Sequence, residues 1–536
     1  MAPAFPDPSS PSLPGGAGGT DAALPPLWEA LDRPLAIAAG PNGLPRVIAD
    51  GAHGAALIAQ VPASPPESLG DLSFREAYGV RYAYVGGAMA NGIASVELVT
   101  ALAHAGMIGF FGAAGLTIPH VIQALDRLQS LGSLPYGVNF IHSPGEPRVE
   151  RELAELLITR RVPAIEASAF LDLTPALVRL RVAGLRGGPN GEPIPARRLM
   201  AKVSRREVAA RFLAPPPAEM LDELLRSGEI TADERRLAAS LPMCDDLTAE
   251  ADSGGHTDNR PLVTLLPSLI ALRDEIAARS PGLPRARVGA AGGIGTPWAA
   301  HAAFSLGAAY LVVGSVHQSC KEAGTSDAVR RALAETAPTD VAMAPAADMF
   351  EMGVELQVLR RGTMFPMRAR QLYELYRRYS SWEEIPAAER TKVERTQFRA
   401  SFEEIWQETE RFFLARDPEQ VERATNDPKH RMALVFRWYL GLSSAWANRG
   451  DAERTLDYQV WCGPAMGAFN EWVAGTPLAE PSARSAPTIA LALLDGAARC
   501  ARLDLLRRAG VPLSPAPAIR PRLVPSTPDS TARTLA

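Results

Sequence analysis

Short apolar runs alternate with amphipathic stretches through the middle of the chain. From about Arg81, "RYAYVGGAM" precedes "ASVELVTALAHAG", "MIGFFGA" precedes "IPHVIQALDRLQSLG", "YGVNFI" precedes "PRVERELAELLITRR", and "PAIEASAF" precedes "TPALVRLRVAG". The first member of each pair is a run of strand length. The second spaces its apolar residues three and four apart, the period of a helix with one buried face. "RRLMAKVS", "LTAEADS", "ARVGAAGGI" and "AAYLVVGSV" continue the series, each followed by helical or polar sequence. This βα rhythm predicts an α/β fold, a (β/α)8 TIM barrel over residues 81–341. A doubly wound open sheet is the rival; the strand count and the glycine-rich ends of the late strands favour the barrel.

Two segments break the rhythm. From about Arg211 to Leu241 the pattern predicts a helical insertion between strands five and six. After about Ala342 no further strand is expected: "DMFEMGVELQVLRRGTMFPMRARQLYELYRRYSSWEEIP" opens a helical subdomain over 342–474, placed beside the barrel mouth. Upstream, "LAIAAG" and "GAALIAQV" suggest a small β-rich piece within 27–80. Residues 475–536 read as a C-terminal helix and a tail. Residues 1–26 and "PLSPAPAIRPRLVPSTPDSTARTLA" bury too little apolar surface to offset the entropy of ordering.

Composition narrows the classes. The 536 residues exceed one average domain, and 47% are apolar. With 55 basic and 59 acidic residues, the net charge of −4 gives no footprint for nucleic acid or for cationic membrane binding. The best apolar run, "AAFSLGAAYLVVGSV", is too short and glycine-rich to span a bilayer. The four cysteines are scattered, with no CxxC or Cys/His ligand set, so no metal is expected. The scattered cysteines read as reduced thiols and the N-terminus shows no secretory pattern, so a cytoplasmic protein is the expectation.

In a barrel the chemistry lies at the C-terminal strand ends. Strand seven ends in "AAGGI", with Gly292, Gly293 and Ile294, and strand eight in "VGS", with Gly314 and Ser315. Barrels hold phosphate there, because glycines let backbone N–H groups approach an anion. Strand one ends in "GGAMANG", where Gly87, Ala88 and Met89 suit the close approach of a flat ring. Asn139 on strand three and Lys202 on strand five are candidate polar contacts to that ring; structural hydrogen bonding is the plain alternative for each. "GGIGTP" is not the GxGxxG of a dinucleotide fold, and the phosphate of FMN is the natural guest.

"GGAMANGIASVELVTALAHAGMIGFFGAAGL", "EADSGGHTDNRP", "AAGGIGTP", "EAGTSD" and "WCGPAMGAFNEW" together resemble the PfaD family, the trans-acting enoyl reductases of polyunsaturated fatty acid and trans-acyltransferase polyketide synthases. "GVNF" and "SGGH" are landmarks shared more distantly with nitronate monooxygenases and with the flavin enoyl reductase of fatty acid synthesis. The resemblance spans about Arg81 to Trp472. It implies an FMN barrel that takes electrons from NADPH and reduces the double bond of a thioester on an acyl carrier protein. Self-association as a homodimer is left open. The resemblance carries His256 onto the active-site histidine, Gly292, Gly293, Gly314 and Ser315 onto the phosphate clamp, and Asn139 and Lys202 onto flavin contacts. Position 317, a histidine where the family more often has asparagine, receives no role.

His256 follows Gly254 and Gly255 at the end of strand six. There it would donate to a thioester oxygen or deliver a proton, since its pKa lies near working pH. Asp252 or Asp258 is expected to fix its tautomer, with Asn259 and Arg260 near. The bland alternative is a histidine capping a surface turn. The runner-up function is a nitronate monooxygenase-like oxidase that uses the same histidine as a base; a flavin-binding scaffold without catalysis is a third reading.

Overall fold

The computed structural model describes residues 28–40, 42–48, 56–513 and 518–522. The expectations for 1–26 and for most of the tail lie outside the described residues.

Eight parallel strands close into a barrel: Tyr84–Gly86, Ile108–Phe111, Gly137–Ile141, Ala164–Ser168, Arg198–Val203, Asp246–Glu250, Arg287–Ala291 and Leu311–Val313. They are the eight runs read from the sequence. Each pairs with its neighbour in sequence, and strand eight returns to strand one through Leu311–Tyr84 and Val312–Val85. Strands this short form because both faces are largely buried, so apolar side chains on either face contribute area. The helices between them close the outer layer with single faces: Ile118–Gln129 buries Val121, Ala124, Leu125 and Leu128. Their starts are fixed by N-caps. Ser95, Thr174 and Thr296 accept from the N–H groups of Leu98, Leu177 and Ala299, each worth about 1 kcal/mol. The insertion between strands five and six contains helices Ala218–Arg226 and Ala232–Ala238, the latter opened by a Thr231/Glu234 capping box.

Helix Leu72–Tyr78 plugs the N-terminal end of the barrel. Phe74 stacks on Tyr310 at 4.4 Å between centroids, within a cluster that includes Val85, Ile108, Phe110, Met200 and Val312. The Tyr78 hydroxyl donates to Asp246, which Arg287 grips through two nitrogens. This helix falls within the segment 27–80 expected as a small N-terminal piece. The chain divides into one unit of residues 1–64 with 501–518 and another of 65–500 with 519–536. In the first, strands Leu35–Ala39, Pro45–Ile48 and Leu57–Val61 form an antiparallel sheet. The Arg502 guanidinium ties it to the last turns of the C-terminal helix by donating to the carbonyls of Ala30, Leu31, Arg33 and Pro62.

Beyond the barrel two expectations fail. Strands do follow Ala342: Val341–Pro345 and Glu355–Leu359 form an antiparallel hairpin, and Gly255–His256 adds a third strand to it. Five-residue strands with few β-branched side chains read as helical openings; cross-strand pairing with a distant segment decides them. The helices begin only at Phe365–Arg378 and continue through Ala387–Val393, Phe402–Arg416, Pro418–Asn426, Pro428–Arg449 and Ala465–Val473. Nor is the tail featureless where it is described: Ile519 is buried, and its carbonyl accepts from Trp472 Nε1.

Candidate active site

A cleft open to solvent lies at the C-terminal ends of the barrel strands. Its walls include Gly87, Ala88 and Met89 after strand one, Lys202 on strand five, and Glu250, Ser253 and Gly254 on and after strand six. Strand seven contributes Ala291 to Ile294, and strand eight Val312 to Val316. All the cofactor residues expected from sequence therefore converge here except Asn139. That side chain is buried, and its amide donates to the Glu166 carbonyl at 3.1 Å and to Ser168 Oγ at 2.9 Å. It ties strand three to strand four, which matches the structural alternative.

The glycine turns after strands seven and eight differ in what surrounds them. Gly292 has φ +85 and sits where a Cβ would come within 2.6 Å of the Ala251 backbone. Gly293 has φ +72, and a Cβ there would meet nothing within 4 Å; at Gly314 it would meet only Met89, at 4.0 Å. These two positions therefore present bare backbone to open space. The last wall was not anticipated: Trp461, Gly463 and Ala465 come from beyond the barrel. Their approach depends on small residues. The Gly463 N–H donates to Ser315 Oγ at 3.1 Å, and a Cβ at Gly254 would stand 2.8 Å from the Cys462 nitrogen. "WCGPAMG" announces a helix start after Pro464, but nothing in it tells which cleft it closes.

Charge in the cleft is concentrated on one pair. Lys202 Nζ lies 2.8 Å from Glu250 Oε1, both side chains mostly buried. Burial pulls the Lys202 pKa down, but the Glu250 and Glu166 carboxylates outweigh it and raise it, so the ammonium stays charged.

His256 is not on the cleft wall itself; it stands two residues beyond Gly254, on the added strand. Its Nε2 lies 3.0 Å from Asp348 Oδ1, both partly buried. Burial disfavours the imidazolium, yet the Asp348 carboxylate outweighs it and the pKa rises. Neither expected partner holds it. Asp252 accepts from Asn259 and Gln357, whose amide also donates to the Ser253 carbonyl. Asp258 is held by Arg205 and Ser204, the Arg205 hydrogen bond leading the forces that bring its pKa down to about 2. The Asn259 and Arg260 side chains are exposed. His317 is fully buried, with Nε2 2.9 Å from the Tyr84 hydroxyl, and burial drives its pKa down to about 3. It is a neutral packing residue.

A closed eight-stranded barrel with a glycine-walled cleft at its C-terminal face defines a (β/α)8 barrel protein with a candidate site at the strand ends. Comparison with known proteins places it further. A polyunsaturated fatty acid synthase component of Thraustochytrium sp. is 48% identical over 490 residues, 89% of this chain and 32% of the relative. The polyketide biosynthesis protein PksE of Bacillus subtilis is 46% identical over 414 residues, 77% of this chain and 54% of the relative. The crystal structure of the enoyl reductase domain of MlnA, from the macrolactin cluster of Bacillus amyloliquefaciens, superposes with a TM-score of 0.76 at 38% identity, covering 83% of this chain and 99% of that one. Residues 379–458 match the family of the inserted helical domain of [acyl-carrier-protein] S-malonyltransferases. The chain belongs to the PfaD family. It spans between about a third and about half of the length of these two curated relatives. Among the described residues, no helix is long and apolar enough to cross a membrane.

Proposed function

We propose that the protein reduces the α,β double bond of 2-enoyl thioesters borne by an acyl carrier protein, with FMN bound in the barrel cleft and NADPH as hydride source. The observation that carries this reading is the pair of glycine turns at Gly292–Gly293 and Gly314–Ser315, open toward the cleft at the position where barrels hold phosphate. Bound flavin supplies hydride acceptance and hydride donation; the chain supplies position and charge. Gly293 and Gly314 let backbone N–H groups reach the phosphate. Gly87 to Met89 offer backbone to the ring, and Lys202, held by Glu250, keeps a fixed positive charge on the cleft wall. His256 fills two needs of the reduction. With Nε2 anchored on Asp348, its Nδ1–H can donate to the thioester oxygen as negative charge develops there, and it can then protonate the α-carbon. The names of the relatives, synthase and polyketide biosynthesis components, support a carrier-bound substrate.

Anaerobic mixing tests it. NADPH should bleach the bound flavin, and a 2-enoyl pantetheine thioester should restore the colour. Turnover of alkyl nitronates without NADPH, or flavin that NADPH never bleaches, would refute the proposal.

A further inference from the structure

Beneath the cleft floor lies a titratable group that the reaction above does not use. Glu166, on barrel strand four, is fully buried. Its Oε2 accepts the Ala88 N–H at 3.1 Å, while Oε1 has no hydrogen-bond partner among the described residues. A Cβ built on Gly87, itself a cleft residue, would stand 3.9 Å from that open oxygen. The groups that face Glu166 come from every side of the barrel: the Ala88 N–H after strand one, Asn139 on strand three, Lys202 on strand five and Glu250 on strand six. Lys202 already pairs with Glu250. Two carboxylates therefore share one mostly buried ammonium, and the set is neutral only when one proton is added. A lone buried carboxylate is costly, so the proton is readily held. Burial pushes the Glu166 pKa up to about 7, with Lys202 opposing and Glu250 adding to the rise.

We propose that Glu166 is a proton-balancing positioning residue, taking up a proton when negative charge enters the cleft and releasing it when that charge leaves. This rests on the flavin reading. Hydride carries two electrons and one proton from the nicotinamide, which is oxidised, to the ring, which is reduced and left with one negative charge. A second proton, from solvent, goes to Glu166 Oε1. It returns to solvent when the hydride passes to the β-carbon of the enoyl group. The field that Lys202 and its neighbours exert on the cleft then stays constant through the cycle.

The test reads protons, not turnover. The FMN-loaded protein is titrated anaerobically with dithionite, and the pH dependence of the midpoint potential counts the protons taken up per two electrons. From about pH 7 upward, the wild type should take up roughly two protons and Glu166→Gln roughly one, at unchanged flavin occupancy. Equal counts in the two proteins overturn the proposal. If Glu166→Gln does not fold, the infrared difference between reduced and oxidised wild type at about pH 8 decides: a gained protonated-carboxyl band supports the assignment, and its absence overturns it. Protein that purifies without flavin overturns the flavin reading and this inference with it. Flavin-loaded wild type that takes up a single proton overturns this inference alone.

Discussion

Replacing Gly293 with leucine separates binding of the cofactor from stability of the barrel. Gly293 has φ +72, so any L-residue there is strained by about 1–2 kcal/mol. In a chain of this size that strain lowers the Tm of the flavin-free protein by a few degrees. Nothing in the protein stands within 4 Å of the new Cβ, so no clash adds to the strain. The side chain therefore extends into the cleft and holds the phosphate off the backbone. Charge-assisted hydrogen bonds are worth about 1.5–3 kcal/mol each. Losing two of them weakens flavin binding by about 3–6 kcal/mol, roughly 10²- to 10⁴-fold in Kd. Gly293→Ala carries the same strain with only one methyl group. Its flavin-free Tm should match that of Gly293→Leu, while its Kd lies between wild type and leucine. Fluorescence quenching of FMN titrated with the flavin-free proteins gives Kd, and thermal unfolding gives Tm. A folded Gly293→Leu protein with wild-type Kd would refute the clamp and the flavin placement derived from it.

His256→Ala should keep its flavin but lose about 100-fold or more in enoyl reduction, with the NADPH half-reaction much less affected; equal losses in both half-reactions would make His256 structural. Asp348→Asn removes the carboxylate that raises the His256 pKa and leaves burial unopposed. Reduction that needs the imidazolium falls as pH rises through that pKa, so the fall should move to lower pH in the variant, and an unmoved profile excludes His256 as the acid. Buried Asp457 accepts from Tyr439, Arg368, Arg399 and Arg454. Asp457→Ala, which strands those cations, should cost about 3–5 kcal/mol in denaturant unfolding. The basic run "RRGTMFPMRARQLYELYRRY" is partly consumed by the fold, since Arg361, Arg368 and Arg370 pair with Asp340, Asp457 and Glu355. Arg377 and Arg378 stay exposed, so reversing these two to Glu should raise the KM for carrier-bound substrate in a salt-sensitive way and leave a pantetheine thioester unaffected. Equal effects on both substrates would remove the steering role.

The barrel was legible because its strands are mostly short apolar runs and the helices between them carry an apolar stripe; local pattern and burial agree. That Gly292, Gly293 and Gly314 would line one cleft was legible for a related reason: they sit at strand ends, where a barrel's strands converge. Glu166 could have been found as well. A single acid inside the apolar run "AIEAS" is a polar group in a strand buried on both faces, and such a group needs a reason. The hydrogen bonds of Asn139 were not legible, because the sequence tells that a residue sits on a strand but not where its amide spends its donors. Lys202 does line the cleft, yet its partner Glu250 stood unremarked in the same segment as His256.

The partner of His256 was beyond reach for a different reason. Asp348 is 92 positions away, in the turn of a hairpin that local pattern assigned to helix. Strand Glu355–Leu359 pairs with Gly255–His256, with Val341–Pro345 and, through the Val358–Trp461 bridge and the Leu359–Val460 hydrogen bond, with the segment that closes the cleft. Gln357, buried on this strand, holds Asp252 and the Ser253 carbonyl. One short strand thus fixes the histidine loop, the histidine's counter-ion and the last cleft wall. Each of the three is weak alone: a two-residue strand, a partly exposed ion pair and a glycine-rich turn. Pairing makes them cooperative, because loss of any one frees the others. The site was therefore readable wherever one βα unit builds it. It was unreadable where the chain beyond the barrel returns to complete it.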